Sequence, residues 1–171
     1  MLISSLAVMS GCEPGTVSMD TAEWTLVETP DGAASFEMPK AGGQWEPSEL
    51  NDADISMFSY DARFSGSKMS FTASYTDFSP QHNVSSEPIA ALQKHMDELT
   101  GGQSVSQILH DMNGCPGNQF EYSKTIDGTG CRNMQLDYVD GDRLYSLSYF
   151  SYADTYDEEL ANRFMESLEI K

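Results

Sequence analysis

Asn118-Gln119-Phe120-Glu121-Tyr122-Ser123-Lys124-Thr125, Arg132-Asn133-Met134-Gln135-Leu136-Asp137-Tyr138-Val139 and Arg143-Leu144-Tyr145-Ser146-Leu147-Ser148-Tyr149-Phe150 are three consecutive runs rich in aromatic and β-branched residues. Between them stand Asp127-Gly128-Thr129-Gly130 and Asp140-Gly141-Asp142, both turn signals. Strands of this length joined by tight Gly turns must pair antiparallel, because a parallel pair needs a crossover of a dozen residues or more. A further strand near Ser104–Asp111, followed by the turn Asn113-Gly114, extends the same meander.

Upstream, the pattern repeats in pairs. Trp24–Glu28 runs into Thr29-Pro30-Asp31-Gly32, after which Ala34–Met38 ends at Pro39, predicting a hairpin. Phe58, Tyr60, Ala62 and Phe64 alternate with polar residues, as do Met69, Phe71, Ala73 and Tyr75 after Ser65-Gly66-Ser67, predicting a second. Two helices punctuate the strands. Ser85 or Ser86 is placed to cap the first, Pro88 suits its first turn, Ile89, Leu92, Met96 and Leu99 form its apolar stripe, and Gly101-Gly102 ends it. Thr155 and Glu158 form a capping box for the last, with Leu160, Phe164, Met165 and Leu168 facing inward. The expected architecture is α+β: an antiparallel sheet of about eight strands with helices packed on its faces, in one domain over residues 23–171.

The order Trp24…Pro30-Asp31-Gly32…Phe36-x-Met38-Pro39, with Gly114-x-Pro116-Gly117…Arg143-Leu144-Tyr145-x-Leu147…Phe164-x-x-Ser167-Leu168 behind it, resembles PsbP-like domains. The resemblance covers most of residues 23–170. It implies an antiparallel sheet sandwiched between helices, a fold also found in a Ran-binding nuclear import factor. In that arrangement Pro116-Gly117 opens a strand, Tyr145 and Leu147 fill a core face and Phe164 docks the last helix. Members are usually non-catalytic binding or assembly subunits, so the resemblance implies a protein that is not an enzyme.

The N-terminal run Leu2-Ile3-Ser4-Ser5-Leu6-Ala7-Val8-Met9-Ser10-Gly11-Cys12 looks like a bacterial lipoprotein signal. It has a short apolar stretch, two small residues before the cysteine, and polar chain from Glu13 onward. The resemblance implies removal of residues 1–11 and acylation of Cys12, palmitate included. No Lys or Arg precedes the apolar run, so the true start is expected upstream. One acyl chain holds a protein marginally and two or more hold it stably, at about 0.8 kcal/mol per buried methylene. Residues 12–22 lack periodicity and read as a tether with a reach of about 17–19 Å. The expected address is the cell envelope, with the domain facing the periplasm or exterior and the bilayer met through acylated Cys12.

Charge narrows the partners. With 27 acidic and 9 basic residues the net charge is −18, which excludes nucleic acid as a partner, since that surface needs clustered Lys and Arg. Anionic lipid would repel the domain within about 8 Å, one Debye length.

Candidate chemistry is sparse. His82, His95 and His110 lack the close spacing of a zinc site. His95 falls at the edge of the helical apolar stripe, where a half-buried imidazole is ordinary. Asp137, Asp140 and Asp142 could gather oxygens around calcium, but the regular loop and its closing Glu are missing, and a hairpin turn explains them. Asn51-Asp52-Ala53-Asp54 reads as a solvated loop, and the ten methionines as core filler. No cofactor or metal site is expected. Cys115 and Cys131 could form a disulfide after export. With the turn centred near Gly128, however, Cys131 faces Thr125 and Cys115 falls near Gly141, some 30 Å away at about 3.3 Å per residue. A disulfide needs Cα atoms within about 7 Å, so the register opposes the bridge.

Two functional readings follow. One is a lipid-anchored, non-enzymatic binding or assembly module with an envelope protein as partner. The other is a periplasmic protein that uses His and Asp side chains to bind a small molecule or a metal, or to hydrolyse a substrate, which requires two of the three histidines to meet an Asp in one pocket.

Overall fold

The computed structural model describes residues 23–40, 43–48, 55–64, 68–103 and 105–171. The lipoprotein-like run with Cys12, the tether, Asn51–Asp54, the turn at Ser65–Ser67 and Ser104 lie outside the described residues. Among the described residues ten strands and two α-helices form an α+β fold. In chain order these are β1 (Trp24–Glu28), β2 (Ala34–Pro39), β3 (Trp45–Ser48), β4 (Ile55–Phe64), β5 (Met69–Phe78), α1 (Pro88–Thr100) and β6 (Gln107–Met112). They continue with β7 (Cys115–Ile126), β8 (Thr129–Asp140), β9 (Arg143–Tyr152), α2 (Glu158–Glu166) and β10 (Glu169–Ile170).

The strands do not make one sheet of about eight, as expected, but two. A seven-stranded antiparallel sheet runs β3-β4-β5-β9-β8-β7-β6, and a three-stranded sheet runs β1-β2-β10. The front hairpin forms as expected, but within the small sheet rather than the large one. Its β2 is buried along nearly its whole length, because it pairs with β1 on one side, with β10 on the other, and packs face-on against the large sheet. The two-residue β10 and the four-residue β3, which contains Pro47, were too short to carry a periodic signal.

The meander has the predicted order with sharper turns. Thr129 and Gly130 belong to β8, and the β7–β8 turn is the two residues Asp127 and Gly128, both with positive φ. That left-handed pair matches the right-handed twist of the flanking strands. The register therefore shifts by one from the expectation, and Cys131 pairs with Lys124 rather than Thr125.

Helix caps also differ. The N-cap of α1 is Glu87, with Pro88 at the first turn, while Ser86 Oγ donates to the Asn83 carbonyl. Leu92 and Met96 are buried as expected, but Ile89 is 56% exposed and Thr100 takes a buried place in the last turn. Gly101, left-handed at φ 67°, closes the helix. At α2 the cap is Asp157, whose carboxylate accepts from the Leu160 N–H, because Thr155 is drawn away to Ser151 and the Tyr152 carbonyl.

The main core lies between one face of the large sheet and a cover made of the small sheet and α2. Phe71, Ala73 and Tyr75 of β5, Leu136 and Tyr138 of β8, and Tyr145, Leu147 and Tyr149 of β9 form its floor. Phe164 from α2 is fully buried, with its ring 6.3 Å from Phe36 and 5.4 Å from Phe71. Edge-to-face rings at such spacings add about 0.5–1.5 kcal/mol each beyond area burial. Arg143 ties the two sheets together at their rim: it donates to both carboxylate oxygens of Asp77 on β5 and to Asp31 in the β1–β2 turn.

Candidate functional site: a polar cleft beneath the first helix

The opposite face of the large sheet is built differently. Alternation puts Thr72, Ser74 and Thr76 of β5, Ser146 and Ser148 of β9, and Asn133, Gln135 and Asp137 of β8 on this side, since their neighbours in sequence fill the core. α1 lies across it, held by a small apolar cluster of Val84, Leu92, Val139 and Leu144. Between α1 and the sheet opens a cleft of about 560 Å³. Hydroxyls of β5 and β9, the Gln135 amide and Tyr122 form its polar wall; Ile55, Met57, Phe78, Leu99 and Leu144 form the apolar one, with His95 at the helix.

Asp137 anchors the polar wall. It is wholly buried, and its Oδ1 accepts from Ser146 Oγ and from Gln135 Nε2, each at 2.7 Å. His95 Nε2 stands 3.8 Å away, close enough for charge attraction but too long for a hydrogen bond. Burial pushes the Asp137 carboxyl well above the ordinary range, against the opposing pull of His95 and the two hydrogen bonds. Its Oδ2 has no hydrogen-bond partner, and neither does Oδ1 of Asn118 at the directly paired position on β7. Protonation of Asp137 would supply the donor that such a pair of acceptors lacks. Burial likewise raises the Tyr122 phenol, helped by the Asp137 charge.

The remaining hydrogen bonds decide what the cleft offers. Thr72 donates to Asp61 at 2.6 Å and Ser148 donates to Asn133 at 2.9 Å, so these hydroxyls, like Ser146, present only lone pairs to the cleft. Among the described residues the hydroxyls of Ser74 and Thr76 have no hydrogen-bonded partner and serve in either sense.

The three histidines separate. His82 and His95 both line a smaller hollow of about 210 Å³ that adjoins the cleft and shares Phe78, His95 and Leu144 with it. His110 lies on the core face of the sheet, its ring 6.2 Å from Tyr138 and its Nε2 buried without a partner. The calcium-like run is split as well. Asp137 points beneath α1, whereas Asp140 ends β8 and Asp142 accepts from the Ser85 N–H beyond the turn. Among the described residues no three His, Cys, Asp or Glu side chains are gathered as a metal would need. Cys115 and Cys131 are both free thiols, the first opposite Met112 and the second opposite Lys124 and Tyr152. Ser146 donates to Asp137 directly rather than to His95, so the three side chains do not stand in the Ser–His–Asp order of a hydrolytic triad.

Sequence reasoning missed this cleft, though Asn133-Met134-Gln135-Leu136-Asp137-Tyr138 and Ser70–Thr76 carry strict alternation. Alternation reads as a strand with one wet face; here that face is roofed by α1, and Asn133, Gln135 and Asp137 are all buried.

No protein-family model matches the chain, and no curated protein sequence matches it. Among described residues no helix is long and apolar enough to cross a membrane. Solved structures share the fold. A chain from Bacteroides thetaiotaomicron VPI-5482 superposes with a TM-score of 0.50 at 13% identity; the match covers 85% of this chain and 48% of that one, so this chain spans about half its length. LpqN, involved in cell envelope biogenesis of Mycobacterium tuberculosis, superposes with a TM-score of 0.50 at 13% identity over 92% of this chain and 99% of its own. Cyanobacterial PsbP (CyanoP) from Synechocystis sp. PCC 6803 superposes with a TM-score of 0.57 at 10% identity over 94% of this chain and 98% of its own. At such identities likeness speaks of fold alone, and the fold is PsbP-like.

Proposed function

We infer that this chain is a lipid-anchored envelope protein whose domain is a non-catalytic binding module, with the cleft beneath α1 as its binding site. The observation that carries the reading is the cleft's polar wall: side chains buried on the two central strands, held in place by one another, with hydrogen-bonding valence left toward the opening. Such concave sites with an apolar lining and a few fixed polar groups are the usual form of ligand pockets. The anchor rests on the Leu2–Cys12 run, and the same fold in a protein of cell envelope biogenesis accords with that address. An envelope protein that delivers or receives the ligand is the partner this reading expects.

Two measurements test it. Membrane fractionation of the native protein and of Cys12→Ser should move the chain from the membrane to the soluble fraction; an unchanged distribution would remove the anchor. Native mass spectrometry of the envelope-extracted protein should find a bound small molecule that is lost when Ser74→Trp fills the cleft. Equal occupancy in both proteins would remove the site.

A second reading, metal-assisted or hydrolytic chemistry at His82 and His95, is favoured by their shared hollow and by the 3.8 Å approach of His95 to Asp137. Zinc titration monitored on both imidazoles decides it: stoichiometric binding lost in His82→Ala and in His95→Ala is the result this reading requires.

A further inference from the structure

The cleft's lining also specifies its ligand, an inference that rests on the reading of the cleft as a binding site. The chain carries 27 acidic and 9 basic residues, yet no Asp, Glu, Lys or Arg lines the cleft; His95 is its one basic group. The carboxylates beside the cleft, Asp61 and Asp137, are engaged by Thr72 and by Ser146 and Gln135 and are not part of the lining. An ionic ligand would therefore leave water without a charged side chain to meet it, and desolvating an unpaired charge is among the largest penalties in recognition. The field of a chain at net −18 opposes anions further.

The direction of the hydrogen bonds adds a second constraint. Thr72, Ser146 and Ser148 have each spent their proton on Asp61, Asp137 and Asn133, and so turn acceptor lone pairs toward the opening. A ligand edge resting there must bring its own O–H or N–H. Register sets the spacing of these acceptors. Thr72 pairs with Ser148 and Ser74 pairs with Ser146 across β5 and β9, a grid of about 5 Å between strands and about 7 Å along each. Facing that grid, Ile55, Met57 and Leu99 offer an apolar surface.

We propose that the cleft binds an uncharged small molecule with an apolar body and at least one hydroxyl or N–H donor along one edge, the donors resting on Ser146 and Ser148 and the body against Met57 and Leu99.

Three compounds with one skeleton separate the terms: 2-naphthol, neutral with a donor; 2-methoxynaphthalene, neutral without one; and 2-naphthoate, an anion. Each is titrated at neutral pH into the full 15N-labelled chain while backbone amide shifts are followed. The expected result is saturable movement of the amides of Thr72, Ser74, Thr76, Ser146 and Ser148 with 2-naphthol. Affinity should be at least five-fold weaker for the methoxy compound and at least ten-fold weaker for the carboxylate. Ser74→Leu, which fills the opening from a cleft-lining position, should weaken 2-naphthol at least ten-fold while the amide dispersion of the core strands is kept. Equal or tighter binding of 2-naphthoate at the same amides overturns the uncharged ligand while leaving the cleft as a site. Equal binding of 2-methoxynaphthalene overturns the donor requirement. If none of the three moves a lining amide, the ligand class and the cleft both fall.

Discussion

The two faces of the seven-stranded sheet share the same strands and differ in nearly everything else. On one, Tyr145, Leu147 and Tyr149 meet Phe71, Phe36 and Phe164 under a cover of three strands and a helix. On the other, Ser146, Ser148, Gln135 and Asp137 lie under α1, which is held by only a few apolar side chains. The first face has the dense ring packing that specifies a fold; the second gives up apolar burial for fixed polar groups and open space. The packing that holds the fold and the proposed binding site thus lie on opposite sides of one β-sheet, and substitutions should sort accordingly.

Phe164→Ala should give the largest effect, a loss of about 3–5 kcal/mol, because it empties the centre of the aromatic cover. Denaturant unfolding measures it, and a loss below about 1 kcal/mol would break the assignment of the fold to this face. Leu92→Ala removes the side chain that seats α1 and should cost about 2–3 kcal/mol. Its signature should be local. Hydrogen exchange is expected to quicken in α1 while β5 and β9 keep their protection; uniform loss across the sheet would mean that α1 belongs to the main core.

Asp137→Asn sharpens the electrostatic side of the comparison. The folded carboxyl titrates above its unfolded value of 3.8 because it is buried. Its favourable, protonated form is therefore fully present below that value, and its contribution is lost as pH rises through the folded pKa. The charged or titratable groups facing it are His95 from α1 and Tyr122 from β7. The amide keeps the acceptor that Ser146 and Gln135 use, and offers Asn118 a donor. The variant should gain on the native chain as pH rises from 4 to 8, as followed by denaturant unfolding at each pH. Parallel pH curves for the two proteins would show that Asp137 does not titrate in this range.

Arg143→Ala should give the smallest effect. It cuts the tie between the sheets and removes a guanidinium stacked 4.5 Å from the Tyr75 ring centroid. Asp31 is 43% exposed, so solvent screening holds the loss to about 1 kcal/mol at neutral pH. The Arg143 hydrogen bond lowers the Asp31 carboxyl from 3.8 to about 2. Its contribution is present above 3.8 and fades as pH falls through about 2, so thermal unfolding of variant and native proteins should converge in acid. A gap that persists undiminished well below pH 2 would assign the effect to packing on Tyr75 instead.

Local chemistry in the sequence was enough for both hairpins, both helices and the order of the meander, because alternation, Asp-Gly turns and the closing Gly101 act over a few residues. Where a neighbour in space competed, the local reading slipped. Thr155 left its expected cap for Ser151, and Ile89 faces solvent while Leu92 and Met96 of the same stripe are buried. The cleft was legible only as alternation. Nothing in Ser-x-Thr or Gln-x-Asp distinguishes a face meeting water from a face meeting a helix.

What the sequence by itself determined is the α+β class, the antiparallel pairing and the excess of negative charge, all of which depend on composition or on short-range pattern. Only the tertiary structure decided that β1, β2 and β10 leave the main sheet, that His95 meets Asp137 while His110 turns to the other face, and that serine and threonine hydroxyls from two paired strands open into one cavity. The physical reason is range. Pairing and capping are set by neighbours in the chain, whereas burial of a polar face depends on which distant element comes to rest on it.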